Sequence, residues 1–268
     1  MHAPTEPRHY LLIGLAMAVS AIFLVVPLVS IFAVAFSRGW EVYLGNIIEP
    51  ATLHAIWLTV LAALVCVPIN TVFGIAVAWA VSRYDFRGRR LLISVIEVPF
   101  SVSPIVAGVT YLFLYGTQGL FGPALQAAGI QIMFTVWAIF LVSLFVTAPF
   151  VARELIPLMQ AQGSEDEEAA ISLGASGWQT FRLVTLPNIR WALLYGAVLT
   201  NARVMGEFGA VSVVSGNIRG QTNTLPLQVE LLFNDFNTVG AFAAASTLAF
   251  IALVTLIVKY ALELREGT

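Results

Sequence analysis

Ser164-Glu165-Asp166-Glu167-Glu168-Ala169-Ala170-Ile171-Ser172-Leu173-Gly174 interrupts a very apolar chain, and the passage it opens closes on Val184-Thr185-Leu186-Pro187. The polar stretch as a whole runs from Arg153 to Arg190. A chain that spends so much of its polar sequence on one compact segment is presenting it to a soluble partner, so the surroundings decide what kind of chain this is. Of its 268 residues, 59% are hydrophobic and 10% are charged. Soluble domains carry about 25% charged residues, so the composition places the chain in a bilayer. Net charge is −2, with no basic excess to draw nucleic acid.

Working outward from the polar stretch, the apolar runs divide into six predicted spans near Tyr10–Phe36, Leu53–Val81, Leu91–Leu114, Met133–Ala152, Trp191–Val214 and Val239–Leu262. Each approaches or exceeds the roughly 20 residues that a helix needs to cross the hydrocarbon core. The first is too long for the core of a signal peptide and has no small-residue cleavage site behind it, so it is expected to remain in the mature protein. Arg8, Arg83, Arg87, Arg89, Arg90, Arg153, Arg182, Arg190, Lys259 and Arg265 fall on one side of these spans, and Arg38 and Arg219 on the other. Basic residues resist translocation, so both termini and the polar stretch are expected to face the cytoplasm. The two outward loops, Ser37–Thr52 and Ser215–Thr238, are long enough to hold short interfacial helices.

Within the polar stretch the local signals describe an elbow of two short helices. Ser164 with Glu167, and Ser176 with Gln179, are each spaced as a capping box. Glu165, Asp166 and Glu167 set negative charge against a positive helix end. Gly174 supplies a left-handed stop, and Pro187 is expected to end the second helix near Leu186. Ala169, Ala170 and Leu173 form one face; Trp178 and Phe181 form another.

Three ionisable residues fall within predicted spans: Glu97, Arg203 and Glu207. An acid or Arg at the bilayer centre costs about 2.5–3.5 kcal/mol on insertion scales, so none should face lipid. Arg203 and Glu207 are four apart and share a helix face. They either tie the bundle together or line the pathway, where Arg203 would offer a bidentate donor to an oxyanion. Glu97 stands before Pro99 and Pro104, which should kink or break the third span and leave it as a gate wall or a bent packing helix. Other chemistry is excluded. Cys66 has no partner for an internal disulfide, and His54 has no ligand-spaced companion. The one lysine, Lys259, is followed by Tyr260, so the Gly-x4-Gly-Lys-Ser/Thr loop that cradles nucleotide phosphates is missing. No catalytic, cofactor-binding or metal residues are expected.

Glu168-Ala169-Ala170, three residues, Gly174, nine residues, then Val184-x-Leu186-Pro187 resembles the EAA loop of bacterial ABC-importer permeases, with Val184 where that pattern has Ile. The resemblance implies an all-α, six-span permease of the type I importer fold, a single domain over residues 1–268 whose coupling loop occupies 153–190. It further implies that Glu168, Ala169, Ala170, Gly174, Leu186 and Pro187 dock on an ATPase subunit. Any ATP and Mg would then sit on that partner, not on this chain.

From Gly206-Glu207-Phe208-Gly209 through Val213-Val214-Ser215-Gly216 to Thr224-Leu225-Pro226-Leu227, then Glu230 and Asn237-Thr238-Val239-Gly240, the chain is similar to the molybdate and sulfate/thiosulfate branch. Together with Val102-Ser103-Pro104 and Gly108, these runs resemble the W-type permease of the sulfate/thiosulfate importer. Implied partners are a T-type permease, two ATPase subunits, an extracytoplasmic sulfate- or thiosulfate-binding protein and membrane lipid; the implied location is the bacterial inner membrane. Molybdate or tungstate stays open as cargo. A proton-coupled secondary anion transporter, with Glu97 or Glu207 carrying the proton, is the rival mechanism.

Overall fold

The computed structural model describes residues 7–264, and every regular element among them is helical. The termini and Arg265, which entered the orientation reading, lie outside the described residues. Helices α1 (Pro7–Ser20) and α2 (Val26–Ala35) are joined by a π-helical turn, Ala21–Val25. The short α3 (Trp40–Ile47) precedes the 34-residue α4 (Pro50–Arg83). Next come α5 (Arg89–Ser101), α6 (Pro104–Tyr115) and α7 (Gly122–Ala127), and then α8 (Val136–Thr147) runs on into α9 (Pro149–Gln162). The elbow holds α10 (Glu165–Ser172) and α11 (Gly177–Thr180), and a second π turn, Phe181–Thr185, leads into α12 (Leu186–Met205). The chain finishes with α13 (Gly209–Val214), α14 (Leu225–Asn234) and α15 (Thr238–Leu264).

Five helical stretches are long and apolar enough to cross a bilayer, and the bent pair α5/α6 brings the number to six. Two predicted spans change shape. The third is not one rod: α5 and α6 meet at 107°. Ser103 precedes Pro104, whose ring disfavours helical backbone in the residue before it, and Val102 and Ser103 are both extended (ψ 133° and 135°). The fifth is displaced. It runs over Gly177–Met205, and α13 is a separate helix beyond a break at Gly206–Phe208. Both loops expected to face outward carry short helices, α3 and α14.

The bundle closes where small residues let backbones approach, the usual solution for packing helices in lipid. Val151 of α9 is wedged between two glycines. A Cβ on Gly74 of α4 would lie 2.5 Å from the Val151 Cβ, and one on Gly196 of α12 would lie 3.0 Å from the Val151 Cα. A fully buried core joins Ala62 and Cys66 of α4 to Ile139 and Val142 of α8 and to Ala210, Val211 and Val214 of α13. Asn70 adds a polar stitch, donating to Thr147 Oγ1 at 2.7 Å. By contrast, the helical stretch Leu12–Ala35 is mostly exposed, and only near its end, where α2 meets α15, is a residue, Ala35, fully buried.

Candidate functional site

α4 is about 50 Å long at 1.5 Å per residue, well beyond the roughly 30 Å hydrocarbon core. Its last residue, Arg83, therefore reaches the polar elbow. There the Arg83 guanidinium meets the Glu167 carboxylate side-on, Nε to Oε2 at 2.7 Å and Nη2 to Oε1 at 3.2 Å. Arg83 Nη1 also donates to the Met159 carbonyl at 2.8 Å. That carbonyl lies in the last turn of α9, where helix carbonyls have no intrahelical donor. Thr185, at the end of the second π turn, donates its hydroxyl to Glu167 Oε1 at 2.7 Å. Both charged side chains are nearly buried, 10% and 12% exposed. One carboxylate thus gathers α4, α9, α10 and the start of α12 into a single knot.

The knot overturns one expectation. Ser164 and Glu167 form no capping box, because Glu167 is drawn inward to Arg83 and the Ser164 hydroxyl donates to Glu168 instead. The second box forms as expected: Gln179 N donates to Ser176 Oγ, and Ser176 N donates to Gln179 Oε1 at 2.8 Å. Gly174 turns left-handed, φ +91°. Pro187 does not end the second helix. The helix runs on through the π turn, which absorbs one extra residue ahead of Pro187 and leaves it among the first residues of α12.

Of the residues expected to dock, Glu168, Ala169, Gly174 and Pro187 are exposed and Ala170 and Leu186 are half-buried. The most exposed apolar side chains of the elbow are neighbours of these. Leu173 is 90% exposed, and Ile171, Trp178 and Leu183 stand out as well. Trp178 packs on Phe181, which stacks on Trp79 of α4 at 5.0 Å. An apolar groove of 690 Å³ runs beside them, walled by Val72, Ile75, Trp79 and Leu186.

Two of the three predicted intramembrane charges, Arg203 and Glu207, meet at a second place. The breaks α5/α6 and α12/α13 lie against each other: a Cβ on Gly108 would fall 2.8 Å from the Ala210 carbonyl, and one on Gly209 would fall 3.2 Å from Pro104. Glu207 sits at the second break, 1% exposed, with Arg203 Nη1 2.7 Å from its Oε2. That contact is a charge pair without hydrogen-bond alignment. Glu207 Oε1 accepts the Ala210 N–H at 3.0 Å, so it also satisfies the first turn of α13. Arg203 keeps 32% of its side chain exposed. Glu97 is not part of this cluster; it is exposed on α5 and has no ion pair among the described residues.

Sequence reasoning did not find the Arg83–Glu167–Thr185 knot. Arg83 counted as one more orienting charge and Glu167 as a capping acid, and no local signal joins residues 84 positions apart. The paired breaks carried partial signals, the Pro99/Pro104 pair and the glycines at 206 and 209, but nothing to show that the two breaks meet.

Comparison with known proteins agrees with this geometry. Residues 70–266 match the family described as "Binding-protein-dependent transport system inner membrane component". The chain is 58% identical over 262 residues to the sulfate transport system permease protein CysW of Escherichia coli (strain K12), covering 98% of this chain and 90% of that one. It is 50% identical to the CysW of Synechocystis sp., over 96% of this chain and 94% of the other. Identity to the sulfate transport system permease protein CysT of Escherichia coli (strain K12) is 34%, over 97% and 94%. Among solved structures, a chain of a bacterial ABC transporter involved in the import of alginate superposes with a TM-score of 0.78 over 97% of both chains at 16% identity, a likeness of fold. An all-helical bundle with an exposed elbow, matched over most of its length by permeases, belongs to the family of binding-protein-dependent transport system inner membrane components.

Proposed function

We propose that this chain is the W-type permease subunit of an ATP-driven importer that carries sulfate or thiosulfate across the inner membrane by alternating access. The observation that carries the proposal is the elbow. Ile171, Leu173 and Trp178 stand exposed around Glu168-Ala169-Ala170 and Gly174, on a segment braced from within by the largely buried hydrogen bonds of Arg83 and Glu167. A rigid segment with an uncovered apolar surface is built to be covered. In this reading Glu168, Ala169, Ala170, Gly174, Leu186 and Pro187 meet a partner ATPase on the cytoplasmic side. Two such subunits hydrolyse ATP, a T-type permease completes the pathway, and an extracytoplasmic binding protein delivers the anion. The existence of CysW and CysT relatives at 58% and 34% identity supports the pairing of two different permeases. The CysW names of the relatives support sulfate as cargo.

Arg203 and Glu207 hold the second break in shape, with the exposed third of Arg203 offering a donor to a passing oxyanion. Glu97 is assigned to the wall of the same pathway.

The test is uptake of radiolabelled sulfate into proteoliposomes holding this chain, its T-type partner and the ATPase pair, with sulfate-binding protein outside. Uptake should need ATP and the binding protein. Uptake by this chain alone on a proton gradient would replace the proposal with a secondary transporter.

A further inference from the structure

We propose that Glu167 is the positioning residue through which movement of the elbow reaches the membrane bundle. The proposal rests on the importer reading above. Four acids crowd the first turn of α10, and three of them, Glu165, Asp166 and Glu168, are exposed. Glu167 alone turns inward. Its two oxygens accept three hydrogen bonds, two from the Arg83 guanidinium and one from Thr185. Arg83 carries the connection on to the Met159 carbonyl of α9.

The arrangement differs from an ordinary loop brace in what it connects. Arg83 ends the longest helix of the bundle, Thr185 ends the π turn that begins the rod bearing Arg203, and Met159 belongs to the helix that wedges Val151 between α4 and α12. π turns are frequent at functional sites and are places where helices kink, so a pull on Glu167 acts at such a turn, at the foot of α12. A second, looser tie runs beside it: Asn188 donates to Asp166 at 3.2 Å, and Gln162 donates to the Asn188 carbonyl at 3.2 Å. Charge-assisted hydrogen bonds are short and strong, and a side-on guanidinium–carboxylate contact fixes orientation as well as distance. The elbow therefore cannot tilt without carrying α4 and the foot of α12 with it. In this reading Glu168 faces outward to the ATPase, and its neighbour Glu167 faces inward to the bundle.

The experiment uses the whole complex with Ser172→Cys carrying a spin label on the exposed side of α10; the native Cys66 is buried. Glu167→Gln should make the label more mobile and raise the ATP consumed per sulfate taken up by roughly tenfold, the size of effect expected when about 1.4 kcal/mol of coupling is lost. The swap of Arg83→Glu with Glu167→Arg should restore part of both. Where Glu167→Gln fails to assemble, Thr185→Val removes one hydrogen bond and should give the same two changes more weakly. An unchanged ATP-to-sulfate ratio in an assembled Glu167→Gln or Thr185→Val complex overturns the proposal, as does a label whose mobility does not respond. Failure of the importer reading itself shows separately, as a wild-type complex whose sulfate uptake ignores ATP.

Discussion

The elbow and the paired helix breaks are built on opposite principles. The elbow is polar, lies at a surface, and takes its form from neighbours in sequence: Ser176 and Gln179 cap each other three residues apart, and Gly174 reverses the chain through its own backbone. The breaks are buried against each other and are held chiefly by residues far apart, Gly108 against Ala210 and Pro104 against Gly209, with the Arg203–Glu207 pair beside the second. The difference teaches where each region can yield. The elbow, folded locally and tied to the bundle through Glu167, can move as a unit and carry the ends of α4 and α12 with it, whereas the breaks hold only while α6 and α13 stay pressed together.

Substitutions should separate the two regions. The largest effect on stability is expected at the breaks. Glu207→Ala leaves Arg203 without its counter-charge and the Ala210 N–H without an acceptor. Orphaning one member of a buried pair costs about 3–5 kcal/mol, and the exposure of Arg203 lowers this to about 2–4 kcal/mol. A lower melting midpoint in detergent and poor recovery of the chain would show it; a Glu207→Ala chain as stable as the parent would sink the claim that the break depends on this carboxylate.

Gly108→Val comes next. Its added carbons enter a space where a Cβ already lies 2.8 Å from the Ala210 carbonyl. Overpacking of this kind costs about 1–3 kcal/mol, again measurable as a loss of thermal stability. At the elbow, Gly174→Val forces a β-branched residue to φ +91°. The local cost is about 1–2 kcal/mol. Yet the bundle should remain folded while ATP-driven uptake falls, and the contrast with Gly108→Val can be read from melting and uptake on the same samples. Full coupling in Gly174→Val would show that the turn does not set the docking surface.

Arg203→Gln, with Glu207 kept, sharpens the comparison further. If assembly survives and sulfate uptake alone fails, Arg203 serves the pathway as well as the fold. The smallest effect belongs to Glu97→Gln. An exposed residue without an ion pair should change stability by less than about 0.5 kcal/mol, so any loss of uptake there would mark a role in the pathway itself.

Much of the elbow was legible because its chemistry is local. The Ser176–Gln179 box, the left-handed Gly174 and the exposure of Glu168 and Ala169 all follow from residues within a few positions of each other. The local reading failed where a distant partner competed. Arg83 offered Glu167 a stronger interaction than the α10 N-terminus could, and the Ser164 capping box was lost. It failed again at Pro187, since no short-range rule shows that a π turn will take up the extra residue ahead of it.

By itself, the order of residues determined that this chain lives in a bilayer, roughly where it crosses, and that one polar segment serves as an elbow. Hydropathy, basic-residue placement and capping act over stretches no longer than a helix, so they can be read along one dimension. Tertiary structure alone decided that Val151 would sit between Gly74 and Gly196, that two broken spans would meet at Gly108 and Ala210, and that Arg83 would close on Glu167. Those contacts depend on which small residues coincide in depth and on how far a 34-residue helix projects past the hydrocarbon. Depth and projection exist only once the helices have packed.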